Sequence, residues 1–330
     1  MTATTMTATT MPDRPLTLAF VMDPVEAEPM AGSTTIVLMR EAQNRGHTVL
    51  YVDPDDLEVD AGRVRAEAVP IELGDESDPT VRRGTARVYD FDHEIDVAFQ
   101  RTDPPVDRDF IIATQILDVC DQTIVLNRPA SVIAFNEKLL AVQFADLMPG
   151  TRVTRRISEL KDFMASYGGQ MIVKPLDGKG GEGIFHLTED DRNLSSILEQ
   201  STEFGTRAIM AQEYLPAIRT GDKRILLLEG EPIGAVLRVP AATESRANLH
   251  VGGKAVRAPL DDEDRRIISR VGPFLKDHGL FFVGIDVIGG KLTEINVTSP
   301  TGVQEINTLD QTKLESLIID RVEALAAARD

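Results

Sequence analysis

Residues Leu16 to Met22 (LTLAFVM) form an unbroken apolar run that ends at Asp23-Pro24. A run without polar alternation suits a strand buried on both faces, as in a parallel sheet. Helical spacing follows around Ile36 to Gln43, with Gly46 placed to close the helix in a left-handed conformation. Thr48 to Val52 reads as a second strand that stops at Asp53-Pro54. A β-α-β opening of this kind calls for helices against the sheet, so the N-terminal region is expected to be an open α/β unit. Glu58 to Val88 is polar and turn-rich, a small excursion of hairpin strands. Asp96 to Gln100 is another strand and leads into Arg101-Thr102-Asp103-Pro104-Pro105. A helix (Asp109 to Cys120) and a strand (Thr123 to Leu126) complete the unit before Asn127-Arg128-Pro129.

From about residue 130 the character changes. Helices near Ser131 to Phe144 and Ser158 to Tyr167 surround strands at Met171 to Lys174, Ile184 to Leu187 and Ala208 to Tyr214. Further strands follow at Arg224 to Leu228 and Pro232 to Val239. Pro240 to Pro259 is polar and contains glycine, and reads as one long loop; loops of that length are usually functional or disordered. Helix Asp261 to Asp277 precedes a hairpin, and helix Lys313 to Ala327 closes the chain. The expected division is a disordered tail (1–13), an N-terminal α/β domain (14–130), a central subdomain (131–215) and a C-terminal subdomain carrying the hairpin (216–330).

That hairpin, Phe281 to Pro300 (FFVGIDVIGGKLTEINVTSP), turns at Gly289-Gly290. Glu294 and Asn296 are two residues apart and so share a strand face. A two-residue turn would put Thr293 opposite Asp286, whereas a three-residue turn through Lys291 puts Glu294 there; the three-residue form is expected. Asp286, Glu294 and Asn296 then offer two carboxylates and an amide oxygen on one face, a hard-oxygen set suited to Mg²⁺ (or Mn²⁺) shared with substrate phosphates. Polar residues on a strand are most often its solvated face, but these interrupt an otherwise apolar run, and Asp and Asn are disfavoured in strands.

Gly178-Lys179-Gly180-Gly181-Glu182-Gly183 satisfies G-x-G-x-x-G. A dinucleotide-binding oxidoreductase would need those glycines to open a helix, yet Ile184-Phe185-His186-Leu187 reads as a strand. No Gly-Lys-Ser or Gly-Lys-Thr follows, so a Walker A loop is excluded too. What remains is a glycine-rich loop between antiparallel strands, preceded by Lys174. Its backbone N–H groups can approach phosphate oxygens closely while the lysine supplies charge.

At 330 residues and 42% apolar content the chain can bury a large core. A formal charge of -18 argues against sequence-independent binding to nucleic acid or anionic lipid. Cys120, the single cysteine, leaves no intrachain disulfide and no cysteine metal site, and its apolar setting reads as core. No stretch approaches the ~20 apolar residues of a membrane span. The opening MTATTMTATTM lacks the basic start and apolar core of a signal peptide, so the chain reads as cytoplasmic.

Taken in order, VMDP (Val21 to Pro24), DPP (Asp103 to Pro105), NEKL (Asn136 to Leu139), KPLDG (Lys174 to Gly178), YLPAI (Tyr214 to Ile218), GDKR (Gly221 to Arg224) and LTEINVTSP (Leu292 to Pro300) resemble the prokaryotic glutathione synthetase family of ATP-grasp ligases. The resemblance implies a pre-ATP-grasp α/β domain followed by a two-lobed ATP-grasp domain. It also implies a reaction in which ATP phosphorylates the cysteinyl carboxylate of γ-glutamylcysteine. Glycine then attacks the acyl phosphate, giving glutathione, ADP and phosphate, in a homotetramer.

Roles carried over by the resemblance follow the motifs. Lys138 and Lys174 contact the nucleotide phosphates, Gly180 and Gly181 cover them, and Gln212, Glu213, Tyr214, Leu215 and Asp222 surround the rest of the nucleotide. Arg224 and Arg238 stabilise the transferring phosphoryl group. Arg101, with Arg246 and Asn248 on a lid spanning 239–253, binds the peptide substrate. Two departures stand out: Gln100-Arg101-Thr102 precedes DPP where a methionine and a second basic residue are expected, and Pro240 to Pro259 is less glycine-rich than a family lid. A ligase acting on another γ-glutamyl or amino-acid substrate, and a non-catalytic nucleotide-binding regulator, remain the alternatives.

Overall fold

The computed structural model describes residues 14–74, 80–178, 180–241 and 253–329. The tail (1–13), Lys179, Arg246, Asn248 and most of the expected lid lie outside the described residues.

The N-terminal region runs β1 (Thr17–Val21), α1 (Thr34–Asn44), β2 (Thr48–Asp60), β3 (Arg63–Leu73), β4 (Val81–Arg83), β5 (Arg87–Asp90), α2 (Phe91–Glu94), β6 (Val97–Gln100), α3 (Arg108–Leu117) and β7 (Ile124–Leu126). Its sheet has the order β4-β3-β2-β1-β6-β7, with β5 also on β3. β1 lies parallel to β2 and β6, and β6 parallel to β7, as the apolar run at Leu16 requires. Ser33 and Asp107 cap α1 and α3 by accepting from Ile36 N and Phe110 N. One expectation changes. β2 does not stop at Asp53-Pro54 but runs on to Asp60, and its register against β3 shifts between Val52 and Leu57. Proline cannot donate to the ladder, so the strand passes it through an irregularity instead of ending.

The expected helix from Ser131 to Phe144 is two pieces, α4 (Pro129–Ala134) and α5 (Glu137–Val142). Phe135 is extended, and Asn136 caps the second piece by accepting from Lys138 N and Leu139 N. The central sheet follows as β8 (Thr151–Thr154), α6 (Ile157–Ser166), β9 (Gln170–Pro175), β10 (Phe185–Thr188), α7 (Leu194–Ser201) and β11 (Ile209–Gln212), ordered β10-β9-β11-β8. β12 (Asp222–Leu228), β13 (Glu231–Val239) and β14 (Lys254–Arg257) start the third sheet. β14 lies inside the stretch read as one loop, and its pairing with β13 makes it a strand. α8 (Asp262–Asp277), β15 (Phe282–Ile288), β16 (Lys291–Asn296), α9 (Val303–Asp310) and α10 (Leu314–Ala327) complete the chain, giving an antiparallel sheet β14-β13-β12-β15-β16. A capping box between Asp261 and Asp264 starts α8. Gly272 in that helix lets it press on the β12–β13 turn: a Cβ there would stand 2.5 Å from the Gly230 carbonyl oxygen.

Packing redraws the division at 131. Leu140, Ala141, Phe144, Leu147 and Met148 share a core with Ile225, Val283, Ile285 and α8, so this segment belongs with the five-stranded sheet and not the central one. α9 and α10 in turn join the N-terminal core, where Ile306, Ile318 and Val322 meet Phe20, Ile36 and Met39. The central sheet keeps its own small core of Leu160, Met171, Val173, Leu187 and Leu198. Among the described residues no helix is long and apolar enough to cross a membrane.

Candidate active site

A cavity of about 800 Å³ opens between the central and five-stranded sheets. β9 and β11 contribute Ile172, Lys174 and Gln212, while β12, β13, β15 and β16 contribute Asp222, Arg224, Arg238, Asp286, Glu294 and Asn296.

The hairpin reaches the expected pairing by another route. Ile288 pairs with Lys291 and Val287 with Leu292, so the turn has two residues; Gly289 and Gly290 both take left-handed φ, +55° and +74°. The register then shifts between Asp286 and Val287, and Asp286 pairs with Glu294. A bulge in β16, and not a three-residue turn, aligns the carboxylates. Asn296 pairs with Gly284 on the same face.

Asp286 is gripped by two arginines. Arg224 donates from Nε at 2.5 Å and from Nη2 at 3.0 Å, and Arg238 Nη2 stands 3.0 Å away. Burial works to raise the Asp286 carboxyl, but the charges of Arg224 and Arg238 outweigh it and hold it well below the usual carboxylate range. Arg238 also pairs with Asp222, whose carboxyl is raised by burial and by the nearby Asp286 charge despite that arginine. Asp222 Oδ1 and Arg238 Nε are buried without a hydrogen-bond partner among the described residues, so this charged wall retains capacity for another polar group.

Lys138 Nζ lies 3.0 Å from Glu294 Oε1 and donates to Gly178 O at 2.9 Å. Lys174 Nζ reaches Thr293 O at 3.4 Å; burial lowers its ammonium below the ordinary lysine value, with Glu294 opposing. Gly180 and Gly181 line the cavity in left-handed conformations, φ +60° and +84°. Gln212, Glu213, Tyr214 and Leu215 line it as well. The Glu213 carboxylate is taken by Gly150 N, and Tyr214 stacks on His186 with ring centroids 4.0 Å apart.

Arg101 is not brought to the wall of this cavity. Its guanidinium is buried, donating to Thr35 Oγ1 and to Pro300 O, each at 3.0 Å. Burial pushes its pKa down to about 10, against the opposing charges of Asp103 and Glu28. It braces the segment after β16 where a substrate contact was expected. Cys120 packs at the edge of the N-terminal core, and burial pushes its thiol up to about 12, so it is no thiolate nucleophile.

Among the described residues no cluster of three His, Cys, Asp or Glu could hold a metal by itself. The donor set of Asp286, Glu294 and Asn296 nonetheless fits Mg²⁺, which takes few protein carboxylates and completes its shell with phosphate and water.

The family description "Prokaryotic glutathione synthetase, N-terminal domain" matches residues 16–132, and "Prokaryotic glutathione synthetase, ATP-grasp domain" matches residues 137–311. This chain belongs to the prokaryotic glutathione synthetase family. The glutathione synthetase of Gloeobacter violaceus is 45% identical over 310 residues, 92% of this chain and 95% of that protein. That of Mesorhizobium japonicum is 44% identical, covering 93% and 98% respectively. Among solved structures, D-cycloserine synthetase DcsG superposes with TM-score 0.65 at 14% identity, over 95% of this chain and 100% of that one. A RimK domain ATP-grasp protein from Sphaerobacter thermophilus gives 0.60 at 16% identity, over 92% and 98%. At such identity these two show the ATP-grasp fold alone. Membership makes this chain an ATP-dependent ligase of the C–N type, with ATP as co-substrate.

Several lining residues escaped the sequence reading: Glu137, Ile172, His186, Thr298, Ser299 and Thr301. Ile172 was within reach, since it shares a strand face with Lys174. Glu137 lay inside a quoted motif, but nothing in its spacing says where its carboxylate goes.

Proposed function

We propose that this chain joins glycine to γ-glutamylcysteine with cleavage of ATP, giving glutathione, ADP and phosphate, and that Asp286, Glu294 and Asn296 hold Mg²⁺ for the reaction. The observation carrying this reading is the Asp286–Glu294 pair facing the same cavity as Lys138, Lys174 and the glycine loop, in a chain of this family. When bound, the metal would offset negative charge on the phosphates. The remaining tasks fall to the side chains. Lys138, Lys174, Arg224 and Arg238, all lining the cavity, would neutralise the phosphoryl group as it passes to the cysteinyl carboxylate. The glycine amine then attacks the acyl carbon, the C–N bond forms and phosphate leaves. No enzyme nucleophile is required, so positioning and charge carry the catalysis. The base would lie against Ile172, Tyr214 and Leu215. A cytoplasmic homo-oligomer is the form we infer, checked by light scattering.

The test is mass spectrometry of products from ATP, Mg²⁺, γ-glutamylcysteine and glycine, with each component omitted in turn. Glutathione formed in step with ADP is expected. ADP without glutathione, or ligation only with a different acid or amine, would overturn the substrate assignment.

A further inference from the structure

Asn136, Glu137 and Lys138 sit where the parts of the cavity meet, and Glu137 has no task in the reaction above. Asn136 Nδ2 donates to Leu176 O at 2.9 Å, and Lys138 Nζ donates to Gly178 O, so both neighbours hold the chain leading into the glycine loop. Glu137 points to the other side. Its Oε1 accepts from Val297 N at 2.9 Å, Thr298 N at 3.0 Å and Thr298 Oγ1 at 2.8 Å. An acidic residue in the first turn of a helix ordinarily serves that helix, yet these three hydrogen bonds all go elsewhere.

The recipients matter because of what adjoins them. β16 ends at Asn296, so Val297 and Thr298 have no strand to supply acceptors for their N–H groups. Thr298 through Gly302 then form a wall of the cavity. The segment is gripped from the other side too: Asn127 Nδ2 donates to Val297 O at 2.7 Å, and Arg101 holds Pro300 O. Among the described residues Glu137 therefore supplies the side-chain anchor linking the start of α5, and through its neighbours the glycine loop, to the chain just beyond Asn296.

We propose that Glu137 is a positioning residue, whose Oε1 fixes the Val297–Thr298 backbone and thereby sets Asn296 and the Thr298–Gly302 wall relative to the glycine loop. Its effect on turnover rests on the ligase reading; its effect on the segment does not. The glycine loop and the two lysines mark the phosphate end, so displacement of the 298–302 wall falls on the peptide and amine substrates, leaving nucleotide binding in place.

The experiment compares Glu137→Gln with Glu137→Ala by hydrogen exchange and kinetics. Glutamine keeps a carbonyl oxygen as acceptor, whereas alanine removes it. For Glu137→Ala, exchange of amides in 297–302 should speed up by about tenfold or more, because local opening is governed by the hydrogen bonds that protect it. Its kcat should fall about tenfold or more and its KM for γ-glutamylcysteine rise, with ADP affinity within about threefold of wild type. Glu137→Gln should stay within about threefold in exchange and in kcat, since an amide oxygen accepts the same bonds. Should Glu137→Ala fail to fold, Thr298→Val removes one of the three donors and must accelerate exchange in the same segment. Wild-type exchange in Glu137→Ala would overturn the proposal. So would a Glu137→Gln enzyme as impaired as the alanine variant with its 297–302 amides still protected, which would make the charge itself the functional element. A wild-type protein that makes no glutathione would overturn the ligase reading while leaving the exchange result intact.

Discussion

On the wall supplied by β12, β13, β15 and β16, charge is locked to charge: Arg224 and Arg238 on Asp286, Arg238 on Asp222, and Lys138 on Glu294. Apart from the buried Lys174, the opposite wall, from β9 to β11, offers Ile172, Ile184, the Tyr214 ring stacked on His186, and the backbone of a glycine loop. The first wall is fixed in place before any ligand arrives, because moving one charge strands its buried partner. The second can adapt, since apolar and backbone contacts tolerate small shifts. Groups that act on developing charge must be oriented beforehand, whereas groups that hold the nucleotide need only fit it. Damage to the first wall should therefore appear in stability and kcat, and damage to the second in KM.

The sharpest break is Asp286→Asn, which leaves the buried Arg224 without its carboxylate and Arg238 with Asp222 alone. Loss of one partner of such a buried pair costs about 3–5 kcal/mol, read by urea unfolding at neutral pH. The folded Asp286 titrates below its ordinary 3.8, so its stabilisation is complete above that pH and is lost as pH falls further. The gap between wild type and variant should consequently narrow in strong acid. Equal stability at pH 7 would show that the arginines find other partners.

Glu294→Gln comes next. Its side chain is itself 22% exposed, but its loss leaves the buried Lys138 without a carboxylate, so stability should fall, by less than in Asp286→Asn, while turnover falls about a hundredfold or more. Activity within a few-fold of wild type would remove Glu294 from the proposed metal site. On the adaptable wall, Ile172→Ala should raise the KM for ATP by about tenfold with kcat nearly intact, the signature of lost uniform binding. A kcat defect of equal size would erase the contrast between the walls. Cys120→Ala lies on neither wall and should leave turnover unchanged, with a stability loss of about 1 kcal/mol. Inactivity in a folded Cys120→Ala protein would refute an acyl-phosphate route without an enzyme thiol.

How much of this was legible varies by element. The parallel strands at Leu16 and Val97 were visible because burial on both faces leaves an unbroken apolar run. The short strands Thr151–Thr154 and Lys254–Arg257 were not, since each is four residues with polar side chains and owes its existence to a neighbour's ladder. Glu294 and Asn296 were legible because they interrupt an apolar run, Lys174 because it precedes the glycine loop, and Lys138 only through the resemblance; the structure brings all four to one cavity. Arg101 was expected to bind a substrate carboxylate, and its actual partner was out of sight: Pro300 lies 199 positions away, and no local spacing encodes that contact.

The sequence by itself determined the α/β opening, the glycine turn and the chemistry of the hairpin face, because periodicity, turn residues and residue type act over a few positions, and the order of its motifs carried the resemblance to the family. Tertiary structure alone decided that a bulge pairs Asp286 with Glu294, that the arginines close on Asp286, and that residues 140–148 pack under the five-stranded sheet. It likewise decided that Glu137 spends its carboxylate on Val297 and Thr298. Each of these depends on which distant surfaces bury one another, and burial is a property of the folded whole that no short window of residues contains.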